Sequence, residues 1–366
     1  MFKRIYLFYS TYMAAMYFSQ TLIVFWLSKN GFSFSNIVIF YLISYIVALV
    51  GIFLFPRMKT KLQESILLGV LLSILSVVVL IKIYSINQLY LSAIFTGLNV
   101  IFFWIPYNIM HFRYSSENRR GLNSGIYFLI TPIVGITLQP IAGMVAEQFG
   151  FLTMFLMGTA LYVIPIFLIL FLPDFEWSLN IRKEIKEHKF NWAIFFQGFS
   201  SRINYSLIPL FTLFFIHTPR AFGNFFGFLA LVAAIASLIN AYISDRLKSR
   251  KVFFYIFSSM VVISFLPLAF ITKSYLWGVF AGIASLCIYL VSPFWLTYSL
   301  DTYKEIGVEK AMIIREVFLN TGYCIAFLIA LSVFYFTSST KLSLIVVSIL
   351  ACLLPIVSYY QGVYRR

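Results

Sequence analysis

Runs of 20 or more residues without a single charged side chain recur along this chain, for instance at 35–55, 222–243 and 275–298. That is the length a helix needs to cross the hydrocarbon layer of a bilayer. In lipid every backbone N–H and C=O must bond within the protein, so such runs become helices or strands of a closed barrel. The alternating blocks of about ten residues that mark a membrane barrel are absent. A helical membrane protein is therefore expected. Composition agrees: 11% of residues are charged, against about 25% in soluble domains, and mean hydropathy is +0.93.

Twelve spans are read, at 6–27, 35–55, 66–84, 89–110, 123–146, 151–172, 192–216, 222–243, 252–272, 275–298, 312–336 and 342–360. The charged stretch 173–191 divides them six and six and reads as a linker, either extended or a surface helix. The expected organisation is thus an N-terminal bundle (1–172), the linker (173–191) and a C-terminal bundle (192–366). The net charge of +15 is explained by topology. With both termini cytoplasmic, 21 of the Lys and Arg residues fall on the cytoplasmic side and 5 on the other, the asymmetry of the positive-inside rule. The expected location is the plasma membrane. Its lipid is then the partner of the basic excess, and nucleic acid is not expected. Cys287, Cys324 and Cys352 all lie in spans with no metal or disulfide spacing and read as apolar filler. The first span is too long for a signal-peptide core and is expected to be retained.

The two halves are related in sequence. Arg57-Met-Lys-Thr-Lys61 returns 189 positions later as Arg246-Leu-Lys-Ser-Arg250, each between two apolar runs. At a shift of 190, Phe128-Leu-Ile-Thr131 falls on Phe318-Leu-Asn-Thr321 and Ser10-Thr11 on Ser200-Ser201. Two parallel six-span halves are a transporter architecture with its site near the midplane, between the halves.

At this level the chain resembles the major facilitator superfamily (MFS) along essentially its whole length. The resemblance implies an all-α membrane protein with twelve transmembrane helices in two pseudo-symmetric six-helix bundles. It rests on the 6+6 spans, the charged central loop and the cationic turns after the second and eighth spans. Asp245-Arg246-Leu247-Lys248-Ser249-Arg250-Lys251 is similar to the family's loop signature; the first copy keeps Arg57, Lys59 and Lys61 but has Pro56 where the acid belongs. Gly135, Pro140 and Gly143 resemble a signature of drug/proton antiporters, though Gln139 and Met144 replace two of its glycines; close-packing glycines in a kinked helix explain them equally well. Asp245 is placed to meet Arg119 and Arg120 at the start of the fifth span, a clamp between the halves, or to order its own loop. The resemblance implies the gating role for Asp245 and Arg246. Where Pro56 cannot act, Glu316 is the candidate acid for Arg57.

Inside the spans Arg202 carries the most information. It lies 11 residues beyond Asn191, roughly 16 Å deep at ~1.5 Å per residue, where a charge costs at least ~2.5–3.5 kcal/mol. It either lines a watery cavity, where an anionic group of a solute is its natural partner, or binds backbone carbonyls. Polar and aromatic stripes at helical spacing add Tyr12 and Gln20 on the first span, Asn99 on the fourth, and Tyr205 beside Arg202. Tyr289 and Trp295 on the tenth and Asn320 and Tyr323 on the eleventh complete the set. The 190 shift lays Tyr12 on Arg202. In the family, spans one, four, seven and ten line the path. For Gln20, Asn99 and Asn320, hydrogen bonding between helices is an equal alternative. The three histidines suggest neither a proton relay nor a metal site. No nucleophile–base pair, metal set or nucleotide loop is present in the sequence, so neither an enzyme nor a cofactor is expected. The expected function is alternating-access transport, secondary active or facilitative, of a small anionic or amphipathic organic solute by a monomer. Protons or another ion are candidates for coupling. A multidrug/proton antiporter and, from another class, a scramblase or sensor on the same scaffold are the alternatives.

Overall fold

The computed structural model describes residues 2–55, 58–115, 120–181, 190–246 and 250–363, with the side chains of 120–122, 241–246 and 250 also outside the description. Ten helical stretches among these residues are long and apolar enough to cross a bilayer. The protein is an all-α, multi-pass membrane protein, apart from one two-stranded ribbon.

In chain order the helices of the first part are α1 (Phe2–Gln20), α2 (Ile23–Lys29), α3 (Phe34–Leu54), α4 (Leu62–Ile81) and α5 (Ile86–Asn99). They continue with α6 (Ile105–Arg113), α7 (Arg120–Gln148), α8 (Gly150–Leu161) and α9 (Val163–Ile169). After the linker come α10 (Trp192–Arg202), α11 (Ile208–Thr212), α12 (Pro219–Arg246) and α13 (Arg250–Leu268). The last are α14 (Ser274–Thr302), α15 (Gly307–Thr337), α16 (Thr340–Ala351) and α17 (Leu353–Tyr360).

Two of the twelve expected spans, 6–27 and 192–216, are not among the ten. Both are helical but interrupted. A turn at Thr21 and Leu22 separates α1 from α2, and α1 is diluted by Lys3, Arg4 and its tyrosines. Between α10 and α11 the chain widens into a π-helical turn, Ile203–Leu207. A second π-turn, Val100–Trp104, joins α5 to α6. Each π-turn runs into a proline at the second position of the next helix, Pro209 and Pro106. Proline removes the bond to the carbonyl four residues back, and the helix re-satisfies itself locally. For Pro106 that carbonyl is Phe102, which instead accepts from the Ser65 hydroxyl at 3.1 Å.

Packing within the first half recurs in the second. α1 lies on α7 as α10 lies on α15; α4 lies on α5 as α13 lies on α14; α3 lies on α5 as α12 lies on α14. Across the two halves α7 packs on α12 and α3 on α15. The α7–α12 contact is backbone-close. A Cβ on Gly143 would lie 3.1 Å from the Gly223 Cα, and one on Gly223 would lie 2.9 Å from the Gly143 Cα. Small residues let membrane helices approach this closely. The glycines of the fifth span are therefore packing residues here.

The described start of the linker, residues 173–181, is built against the rest of the protein. Glu176–Ser178 forms an antiparallel ribbon with Lys59–Lys61, the first copy of the repeated turn, pairing Lys59 with Ser178 and Lys61 with Glu176. Trp177, Leu179 and Ile181 are buried against the bundle. Glu309, at the start of α15, accepts from the Ser178 backbone N–H at 2.9 Å. The linker thus ties the turn of one half to a helix of the other.

Candidate functional site

A cavity of about 200 Å³ opens between the halves. α1 supplies Met16, Tyr17 and Gln20; Thr21 and Val24 follow at its break. α3 supplies Tyr41, and α7 supplies Pro132 and Gln139. The π-turn after α10 presents Asn204 and Tyr205, and Pro209 follows it. α12 gives a mostly apolar wall with Phe226, Leu229, Ala230 and Ala233, and α14 gives Ser285 and Tyr289. Amides and phenols dominate the polar lining, and among the described residues no acid lines it.

Of the nine residues expected to touch solute, Gln20, Tyr205 and Tyr289 line this cavity. The others sit elsewhere. Arg202 is turned beside it into a cage of tyrosines. Its guanidinium lies 3.9 Å from the Tyr323 ring centroid, 4.9 Å from Tyr45 and 5.6 Å from Tyr205, and it donates to the Tyr45 hydroxyl. Tyr323 is thus a partner of Arg202. A cation over an aromatic face gains ~0.5–2 kcal/mol, least where the face is exposed, as Tyr205 is, so the three faces reduce an insertion cost of ~2.5–3.5 kcal/mol. The cage explains how a charge can stand at this depth without a carboxylate in contact.

Tyr12 and Asn99 belong to the core of the first half. The Tyr12 hydroxyl pairs with Ser73 Oγ at 3.0 Å, and the Asn99 amide donates to the Gly69 carbonyl and Ser73 Oγ at 2.8 Å each. The sequence shift laid Tyr12 on Arg202. Tyr12 nevertheless stacks on Phe103 at 3.6 Å within its own half, while Arg202 reaches across to Tyr45 of α3. Trp295 is buried against Phe254 and Tyr298. Asn320 is fully buried and donates to the Glu316 carbonyl at 2.6 Å.

The gating residues divide likewise. Arg57 and Arg119 lie outside the described residues, and so do the side chains of Arg120, Asp245 and Arg246. The Asp245 clamp and the Arg57–Glu316 contact therefore fall outside the description. The Glu316 carboxylate itself is buried and held by Arg315 at 2.8 Å, with Asn320 Nδ2 at 3.4 Å.

Sequence reasoning missed Gln139, Asn204, Tyr17 and the part played by α7 and α12. Placing Tyr205 beside Arg202 from the sequence assumed α-helical register. The π-turn inserts a wider turn, which rotates Asn204 and Tyr205 into the cavity and leaves Ser206 buried. Pro209 was the available signal, because a mid-span proline marks such a break in the helix before it. The fourth span does not line the cavity, because Asn99 bonds inward.

No family model matches the chain. The chain is similar to an uncharacterised protein of Bacillus subtilis (strain 168), YqgE, at 24% identity over 270 residues. The match covers 66% of this chain and 60% of that relative, so the chain spans less than two thirds of the relative's length.

Proposed function

We propose that this protein is a secondary transporter of the major facilitator type, in which a small organic solute binds between two six-span halves that rock about it. The observation that carries the reading is the cavity of about 200 Å³, walled by amides and phenols from both halves of an otherwise apolar bundle. At ~30 Å³ per water it suits a solute of a few heavy atoms. The recurrence of helix neighbours in the two halves supports twelve spans, counting the interrupted first and seventh, and hence termini on one side. The basic turns favour the cytoplasm for that side by the positive-inside rule, in a protein of the plasma membrane. The caged Arg202 gives the site a positive potential that favours an anionic solute. The phenols favour an amphipathic one.

Uptake into proteoliposomes, across a panel of small carboxylates and amphipathic solutes with and without a pH gradient, tests this. At least one solute is expected to enter faster than into protein-free vesicles, and Gln20→Leu with Tyr205→Phe is expected to abolish the difference. Lipid flipping without solute movement would instead place the chain with non-transporting scaffolds.

A further inference from the structure

Two carboxamides line the cavity from opposite halves, Gln139 of α7 and Asn204 of the π-turn after α10. Each has a buried carbonyl oxygen with no hydrogen-bond partner among the described residues. Gln139 as a whole is 6% exposed. Its main chain is fixed at the close contact of α7 with α12, where a Cβ on Gly223 would lie 2.5 Å from the Gln139 main-chain oxygen. One turn back, Gly135 leaves room for the carboxamide. A Cβ there would lie 3.4 Å from Gln139 Oε1, 3.4 Å from the Tyr17 ring and 3.0 Å from the Ala230 Cβ. Buried polar groups are nearly always bonded, and the Asn99 amide in the same bundle makes three such bonds. Two unpaired carboxamides on the wall of one cavity are therefore set for a ligand.

The rest of the lining narrows what that ligand is. The Thr21 hydroxyl donates to the Tyr17 carbonyl at 2.6 Å and the Ser285 hydroxyl to the Leu229 carbonyl at 3.3 Å, so their protons are spent on the backbone. Among the described residues no charged side chain lines the cavity. The Arg202 guanidinium lies beside it, taken up by the tyrosine faces. Flat surface is plentiful. Tyr205 is 40% exposed, and Tyr41 is held nearly parallel to Phe327 at 5.4 Å. Tyr289 and Phe226 line the same space.

The geometry points to a neutral, planar solute with an amide-type edge, a donor beside an acceptor, as the ligand of Gln139 and Asn204. A carboxamide presents one acceptor oxygen and two N–H donors. It can therefore pair in two places with such an edge, as Asn and Gln do with the edge of adenine. The aromatic rings receive the faces of a flat guest. A carboxylate fits less well, because it is acceptor-only and would leave the carbonyl oxygens of both residues unpaired. With one carboxamide on each half, a bound guest bridges the two. The inference rests on the reading of this cavity as a solute site and narrows the solute to its uncharged, amphipathic side. Nucleobases and simple aromatic amides share the edge.

Equilibrium binding of labelled uracil, benzamide, benzoate and N,N-dimethylbenzamide to the full chain in nanodiscs tests this. Uracil or benzamide is expected to bind, and which of them does tells a nucleobase site from one for simple aromatic amides. Benzoate is charged, and N,N-dimethylbenzamide has lost its donors. Each is expected to bind at least about tenfold more weakly than benzamide, as when a site's buried polar groups are left unpaired. For uracil, 1,3-dimethyluracil makes the same comparison. Gln139→Leu and Asn204→Leu are each expected to weaken binding by at least about tenfold. The thermal midpoint of the ligand-free protein should not fall with them, because neither carbonyl oxygen has a partner to lose. A fall in that midpoint would make the carboxamides structural and overturn the inference. Benzoate binding as tightly as benzamide overturns it, and so does failure of both uracil and benzamide to bind at millimolar concentration. The ligand comparison uses the native chain, so it decides the matter even where a variant does not fold. Binding without uptake into proteoliposomes would instead remove the transporter reading and leave this inference standing.

Discussion

Arg202 and Asn99 show how differently two polar residues in spans can be used. Arg202 is stabilised by three aromatic faces, and Tyr323 at 3.9 Å is the closest. Lysine keeps the charge but loses the planar guanidinium that stacks. Arg202→Lys is therefore expected to lower the thermal midpoint in detergent, and Arg202→Ala to reduce transport at least about tenfold, or ~1.4 kcal/mol. Transport unchanged in Arg202→Ala would remove Arg202 from the site. Asn99 makes the opposite prediction. Its amide bonds Gly69, Ser73 and Tyr12 inside one half, so Asn99→Leu strands buried partners at ~1–3 kcal/mol. Denaturation is expected to register that loss while solute affinity in the surviving protein stays the same. Both residues were visible in the sequence as polar groups in apolar runs. Their opposite uses were not, because partners such as Tyr45 and Ser73 come from other helices.

Helices in this protein are shaped by where they lose or give up ordinary packing atoms. Pro209 cannot donate to the Tyr205 carbonyl, and the π-turn Ile203–Leu207 precedes it. Pro209→Ala restores the donor and is expected to tighten the turn toward α-helical register. Asn204 and Tyr205 would then rotate out of the cavity, so solute binding falls with little change in stability. Equilibrium binding and thermal melts on the same sample separate the two effects. Gly143 and Gly223 act by the absence of a side chain. Gly223→Leu places atoms where the Gly143 Cα already lies, so α7 and α12 are expected to be forced apart. A cysteine pair across that contact should then cross-link more slowly than in the native background. A native rate of cross-linking would mean that the close approach is not what holds the pair.

At the scale of the whole molecule, the two basic turns were expected to differ because Pro56 replaces the acid found at Asp245. In the described residues the first turn is held by a ribbon with the linker, and the linker by Glu309. If the halves rock, this strap must yield. A disulfide between Ser178→Cys and Glu309→Cys, with the native cysteines replaced, is expected to arrest transport until a reductant is added. Transport that continues at full rate with the disulfide formed would show that the strap does not report on rocking.

Lipid made the helical class readable from sequence, because an apolar run in hydrocarbon has few ways to satisfy its backbone. The internal repeat let two halves be expected from the chain alone, because matching residues need no tertiary contact to be seen. Contacts between helices distant in sequence decided the rest. Which face of the seventh span meets the cavity depended on a π-turn, and which tyrosines cage Arg202 depended on α3 and α15 arriving beside it. Whether His111 was a surface residue or a sealed one depended on α1, α6 and α7 closing around it. Periodicity places a side chain on its own helix. Its partners are set by the packing of the others.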